Sequence, residues 1–251
     1  MEEKLTIDNH VICMVFNLYI KGYDMYGGEN PWIKERLKMF NKYCINAFAN
    51  QTDPNFHLFL FCDKNTPSPY KQELLDLESK YKFITIIWDF ERALGNGLTR
   101  EEQNNKILEY YLKVRSNSVD EIICSRFESE DIPEVRYNEV VKLAANSTSN
   151  PIISLAKGLY WDINTDQFLD STFLQGPFIS VKSSLENFIS PYKVNHTKMI
   201  TEEKGLPIIT EDNLWIQLVH GDNIWNRMDR MPGKNIAKPS LDYLKTYFAY
   251  E

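Results

Sequence analysis

The 251 residues predict one α/β domain built on a mostly parallel central sheet, with a mixed or antiparallel extension on its C-terminal side. Three observations carry that expectation. Strand-like and helix-like segments alternate through the first half, and beyond about Pro151 the alternation gives way to short strand candidates. Hydrophobic residues make up 43% of the chain and aromatics 13%, enough for a sizeable core. One domain over 1–251 is expected, divided near residue 150 into two halves.

Val11 to Tyr19 reads as the first strand, rich in Val, Ile, Phe and Tyr. A polar loop from Gly22 follows. Asn30 then caps a helix that begins at Pro31, with Ile33, Leu37, Phe40, Cys44 and Ala47 at helical spacing. A second strand, Phe56 to Cys62, ends at Asp63, and a helix is expected from about Tyr70 to Lys80. Phe83 to Trp88 is the third strand. Thr99 and Glu102 have the spacing of a capping box, opening a helix whose apolar stripe is Ile107, Leu108, Tyr111 and Leu112. Glu121 to Ser125 forms the fourth strand, and a helix is expected to begin near Pro133. The later strand candidates are Ile152 to Leu155, Gly158 to Trp161, Gln167 to Leu174 and Phe178 to Val181. Trp215 is expected in a helix. The tail, with Leu241, Tyr243, Leu244, Tyr247 and Phe248, reads as an amphipathic helix that docks on its own domain; the competing reading is peripheral contact with a membrane surface.

Composition excludes several function classes. A formal charge of −7 argues against nucleic acid, whose binding relies on Lys and Arg releasing counterions. Cys13, Cys44, Cys62 and Cys124 stand singly within apolar runs without C-x-x-C spacing, so they read as buried free thiols in a reducing, cytoplasmic compartment. The first apolar run, Val11 to Phe16, is too short to span a bilayer, and no transmembrane segment is expected. There is no P-loop or G-x-G-x-x-G.

The strongest local signal follows the fourth strand, in Arg126-Phe127-Glu128-Ser129-Glu130-Asp131. Ligands of open α/β sheets bind at the carboxyl ends of strands, so carboxylates there face the crevice. Three of them within four residues require a cation or basic side chains to neutralise them. The alternative is a solvated turn in which Glu130 or Asp131 favours the N-terminus of a following helix. His220, taken alone, reads more readily as a surface or hydrogen-bonded structural residue than as a ligand.

The order of strands and helices ending in an acidic triplet resembles the nucleotide-binding half of GT-A glycosyltransferases. More narrowly, the chain is similar to a rhamnosyltransferase family. The matching segments are Phe16-Asn17-Leu18, W-I-K-E-R-L-K-M-F from Trp32 to Phe40, F-L-F-C-D-K-N-T-P from Phe59 to Pro67, S-R-F-E-S-E-D from Ser125 to Asp131 and W-I-Q-L-V-H-G-D-N from Trp215 to Asn223. The family pattern near the fourth strand is T-R-L-D-x-D-D, which aligns Glu128, Glu130 and Asp131 with its acidic positions and replaces Asp by Glu at two of them.

The resemblance implies a GT-A-like nucleotide-sugar-binding fold and a metal-dependent transfer of a sugar, L-rhamnose, from a nucleoside diphosphate donor to a glycan or glycolipid acceptor. Mn²⁺ or Mg²⁺ would be held by Glu128, Glu130, Asp131 and His220. Phe16, Asn17 and Asp63 would meet the base and ribose, with Arg100 and Arg126 on the diphosphate, the competing role for each arginine being a surface ion pair. The first half would bind donor and metal, the second half the acceptor. Glu211 and Asp212 resemble the acidic pair of inverting GT-A enzymes, which makes Asp212 the candidate general base; it is equally a helix-terminal acid, and Asp170 is held in reserve. His196 is a further candidate in the acceptor half. Two rivals stand beside the transferase: a catalytically silent nucleotide-binding or scaffold module, suggested by the two Glu replacements, and a metal-dependent nucleotidyltransferase.

Overall fold

The computed structural model describes residues 9–16, 30–90, 99–115, 119–174, 176–193, 196–220 and 228–250. Asn17, most of the loop from Gly22, and the Gly221-Asp222-Asn223 segment lie outside the described residues.

Four parallel strands form one side of the first sheet: β1 (His10–Val15), β2 (His57–Asp63), β3 (Ile84–Phe90) and β4 (Glu121–Glu128). Between them run α1 (Pro31–Met39), a π-helical turn (Phe40–Cys44), α2 (Ile45–Ala49), α3 (Ser68–Lys80) and α4 (Arg100–Val114). Every residue of β1 and β2 is buried, as expected for strands covered on both faces. Ile12, Met14, Leu58 and Leu60 pack with α1, α3 and α5 (Tyr137–Ser147), whereas Val11, Cys13, Phe59 and Phe61 pack against Ile107 and Tyr111 of α4. Helix α1 starts where expected, with Asn30 Oδ1 accepting from the Ile33 amide and Pro31 at its first position. The Thr99–Glu102 capping box at the start of α4 is also present.

The sheet order is β10-β6-β9-β4-β1-β2-β3, with β6 (Ile152–Leu155), β9 (Ile179–Ser184) and β10 (Leu206–Ile208). β9 runs antiparallel between β4 and β6, which makes this end of the sheet mixed. A second sheet has the order β12-β8-β7-β11-β5, from β5 (Ile132–Pro133), β7 (Lys157–Asp162), β8 (Gln167–Thr172), β11 (Trp215–Val219) and β12 (Lys234–Ile236). One face of it joins the main core through Tyr160, Leu169, Trp215 and Val219; the other packs Leu159, Trp161, Ile216 and Leu218 against the π-helical turn and α7 (Leu241–Phe248). The tail thus docks on its own domain, burying Leu244 and Phe248.

Three expected elements are corrected. The fourth strand extends to Glu128, so the acidic motif begins inside it. The segment at Pro133 is a strand at the edge of the second sheet, a place where a residue without N–H is tolerated, and the helix begins at Tyr137. Trp215 lies in β11 and not in a helix: Trp215 and Val219 face one core and Ile216 and Leu218 the other, so a strand buried on both sides looks uniformly apolar. Among the described residues no helix is long and apolar enough to cross a membrane.

Candidate functional site

Parallel pairing brings the carboxyl ends of β1, β2 and β4 to one edge, with Val15 opposite both Phe61 and Glu128. The chain leaves β4 in a tight turn closed by the Asp131 amide donating to the Glu128 carbonyl at 3.1 Å. It then enters β5, which pairs antiparallel with β11, Ile132 lying opposite Ile216. This short ladder carries the turn from the first sheet to the second. It therefore sets Glu130 beside His220, the residue following β11, with Nε2 of His220 3.2 Å from Glu130 Oε2.

The three carboxylates have different surroundings. Glu128 is paired with Arg126 two residues earlier on the same strand face, its Oε1 accepting from Nε at 3.1 Å and Nη2 at 2.5 Å. The Arg126 guanidinium also lies 5.5 Å from the centre of the Tyr192 ring. Glu130 forms an ion pair with Arg36 of α1, whose Nη1 also donates to Ser129 Oγ at 3.3 Å. Asp131 is fully buried, with Oδ2 3.4 Å from Gln217 Nε2 of β11. Its Oδ1 has no hydrogen-bond partner among the described residues. Burial pushes the Asp131 carboxyl well above the ordinary carboxylate range, and the Glu128 charge adds to this. Arg36, the Gln217 hydrogen bond and Arg126 oppose the shift.

Whether these groups suit a divalent cation can be judged from their chemistry. Carboxylate oxygens and an imidazole are donors for Mn²⁺ or Mg²⁺, and a buried carboxylate oxygen without a partner is a demand that a cation meets. As placed, however, the two glutamates are engaged with arginines, and among the described residues no three His, Cys, Asp or Glu side chains gather closely enough to hold an ion. The donor set fits by type and by the unmet oxygen of Asp131.

The remaining expected residues are scattered. Phe16 follows β1 at the correct edge, but its ring is buried, edge-on to Phe40 at 5.6 Å. Asp63 ends β2; its Oδ1 accepts from the Asn65 amide at 2.8 Å and its carbonyl from Thr66, an Asx-type turn that shapes the loop there. Arg100 opens α4 and is exposed. Asp212 is exposed and paired with Arg136 at 2.9 Å, close to the buried Glu134 that also holds Arg136. It precedes β11 whereas His220 follows it, and five strand residues span about 15 Å. Asp170, on β8, is bound to Lys157 at 2.5 Å. His196 opens α6 (His196–Thr201), and its side chain lies outside the described residues.

Sequence reasoning missed Arg36, Trp32 and Gln217. Signals for them existed. Trp32 and Arg36 are spaced i, i+4, so a helix stacks one above the other, and the guanidinium carbon lies 4.6 Å from the ring centre. Gln217 is one polar residue in the buried run Trp-Ile-Gln-Leu-Val, and such a residue needs a partner.

Comparison with known proteins adds a family. Among solved structures, the chain is similar to S. aureus TarS residues 1–349 in complex with UDP, with 10% identity, a TM-score of 0.49 and coverage of 85% of this chain and 61% of that one. It is likewise similar to the complex of the same TarS fragment with UDP-GlcNAc (8% identity, TM-score 0.47, covering 86% and 60%) and to the apo structure of a bifunctional glycosyltransferase, WbbM (10%, 0.34, 79% and 33%). The chain thus spans about three fifths of the length of the TarS fragment. No curated protein sequence matches it. Residues 26–231 match the family described as "Putative rhamnosyl transferase", a stretch that includes α1, the acidic turn and His220, and the chain belongs to that family.

Proposed function

We propose that this chain transfers a sugar, L-rhamnose, from a nucleoside diphosphate donor to a glycan or glycolipid acceptor, and that transfer requires Mn²⁺ or Mg²⁺. The observation that carries the reading is the contact of Glu130, in the acidic turn that follows β4, with His220 at the carboxyl edge of the sheet, in a chain of this family. Asp131 and His220, with Glu128 and Glu130, would hold the cation. When bound it supplies a Lewis acid for the diphosphate that departs with the bonding electrons.

The protein's own groups do the rest. Arg126 and Arg36 place guanidinium charge beside the turn, where a diphosphate's negative charge is attracted; Asp63 closes the loop at the neighbouring strand end, on the side expected for base and ribose. Asp212 is the candidate for taking the acceptor's proton, and its Asn variant decides the matter. A kcat lowered by roughly 10² to 10⁴ with donor affinity unchanged assigns proton transfer to Asp212. An unchanged rate assigns it to holding Arg136.

A second reading has one observation in its favour. Glu128 and Glu130 each hold an arginine, as they would in a module that binds nucleotides without turnover. A thermal-shift panel of nucleoside diphosphates and nucleotide sugars, with and without Mn²⁺, tests both readings. A specific ligand at a hundredfold excess over its Kd stabilises by about 2.7 kcal/mol. Binding followed by donor hydrolysis or transfer supports the enzyme, and binding with neither supports the silent module.

A further inference from the structure

Strand β5 follows Asp131 directly, and its own ladder holds it weakly. It pairs with β11 over Ile132 and Pro133 alone, and Pro133 has no N–H to give. One more bond on that side comes from the Glu134 amide, which donates to the Leu214 carbonyl at 3.0 Å. Further support comes from distant parts of the chain. Gln51 Nε2 donates to the Glu134 carbonyl at 2.8 Å, and the Thr52 amide to the Val135 carbonyl at 2.8 Å. The Val135 amide donates to the Tyr247 carbonyl at 2.8 Å, in the last turn of α7. That carbonyl is one of the four that a helix leaves without an internal partner at its C-terminus, so a single bond completes both elements.

Apolar contacts converge on the same place. Ile132, next to Asp131, belongs to a buried cluster with Met39, Tyr43, Leu244 and Phe248. Ala249, at φ 48°, turns the chain back after α7. Tyr250 then stacks on Tyr43 with ring centres 6.0 Å apart and meets Trp161 edge-on at 5.5 Å. Helix α7 lies beyond residues 26–231, the stretch that matches the family, so its role is read from these contacts.

We propose that α7 is a brace for the acidic turn: the Tyr247 carbonyl and the Phe248 ring are positioning groups that hold β5, and β5 holds Glu130 and Asp131 at the carboxyl edge of the sheet. The brace stands on these contacts alone; its coupling to a bound donor rests on the transferase reading above.

The test follows full-length protein by hydrogen–deuterium exchange and mass spectrometry. Phe248→Leu loosens the cluster while keeping it apolar, and Tyr250→Ala, at its half-buried margin, serves if Phe248→Leu fails to fold. Ile107→Val, in the separate cluster under α4, is the control. Exchange over 128–136 should run roughly 3- to 10-fold faster in the α7 variants, with 57–63 in β2 unchanged, and Ile107→Val should show no such selective change. Exchange over 128–136 at the parent rate while α7 itself opens overturns the proposal. So does a uniform acceleration that includes 57–63, which general destabilisation would give. Coupling is read in the parent with UDP, GDP, ADP and dTDP, each with Mn²⁺. A nucleotide that binds should slow exchange over 241–250 as well as over 128–136, by up to about 100-fold at a hundredfold excess over its Kd. Protection confined to 128–136 overturns the coupling. If none of the four binds but the acceleration is selective, the transferase reading falls and the brace stands; if one binds and the acceleration is absent, only the brace falls.

Discussion

His10 and His57 are sealed inside the first sheet, and burial depresses the pKa of each from 6.5 to about 4. His10 bonds to Asn138 and, through Nε2 at 2.7 Å, to Ser125; Lys142 lowers its pKa further, while Asn138 and Asp53 raise it. His57 Nε2 meets Thr85 Oγ1 at 2.7 Å. A histidine with a depressed folded pKa contributes stability that is complete above 6.5 and is lost as pH falls towards 4. At 1.36 kcal/mol per unit, each loss approaches about 3 kcal/mol. Urea unfolding at pH 7.5 and 4.5 should show a marked drop, and His57→Gln should shrink it. Equal drops in parent and variant would show that His57 is not the cause. Burial raises the carboxyls of Asp131 and Glu134, which act in the opposite sense, so the difference between proteins isolates the histidine. At this scale the acidic triplet stood out in the sequence because carboxylates at a strand end are conspicuous, whereas His220 was singled out only through the family resemblance. Arg36 was not, because an arginine on a helix looks like any solvated charge until the fold brings Glu130 to it.

Strand β11 shows what an element hides. Five residues buried on both faces have no alternating pattern, so helix and strand read alike, and the choice falls to the partners on either side. Those partners are specific. Trp215 is fully buried, donates from Nε1 to the Leu155 carbonyl at 2.8 Å and stacks on Phe178 at 4.5 Å. Gly158 of neighbouring β7 leaves room for the indole: a Cβ there would lie 2.1 Å from it. Gly158→Ala must therefore displace the ring, and a loss of at least about 2 kcal/mol is expected from overpacking of this severity. A urea midpoint equal to the parent's would mean that the indole does not lie over Gly158 as described. Helix α1 and α4, by contrast, were readable from their caps, since Asn30 and Thr99 act within three residues of themselves. What local chemistry decides is legible locally; β5 and β11 are decided by each other.

For the molecule as a whole, the alternation of the first half was enough to anticipate a mostly parallel sheet, and the weaker second half became the antiparallel β9 and the second sheet. The link between the sheets, through the turn after β4, was not anticipated, although it is what brings His220 to Glu130. All four cysteines are buried and unpaired, and burial raises the thiol pKa of Cys13, Cys44 and Cys62. Native protein should therefore react slowly with thiol reagents, and denatured protein should show four free thiols by mass spectrometry; a native disulfide would contradict this arrangement. The central claim is metal-supported sugar transfer, and it is tested most directly by following nucleoside diphosphate release from nucleoside diphosphate L-rhamnose, with acceptor present, before and after chelation with EDTA. The account predicts turnover that EDTA abolishes and added Mn²⁺ or Mg²⁺ restores, and full turnover by thoroughly chelated protein would contradict it.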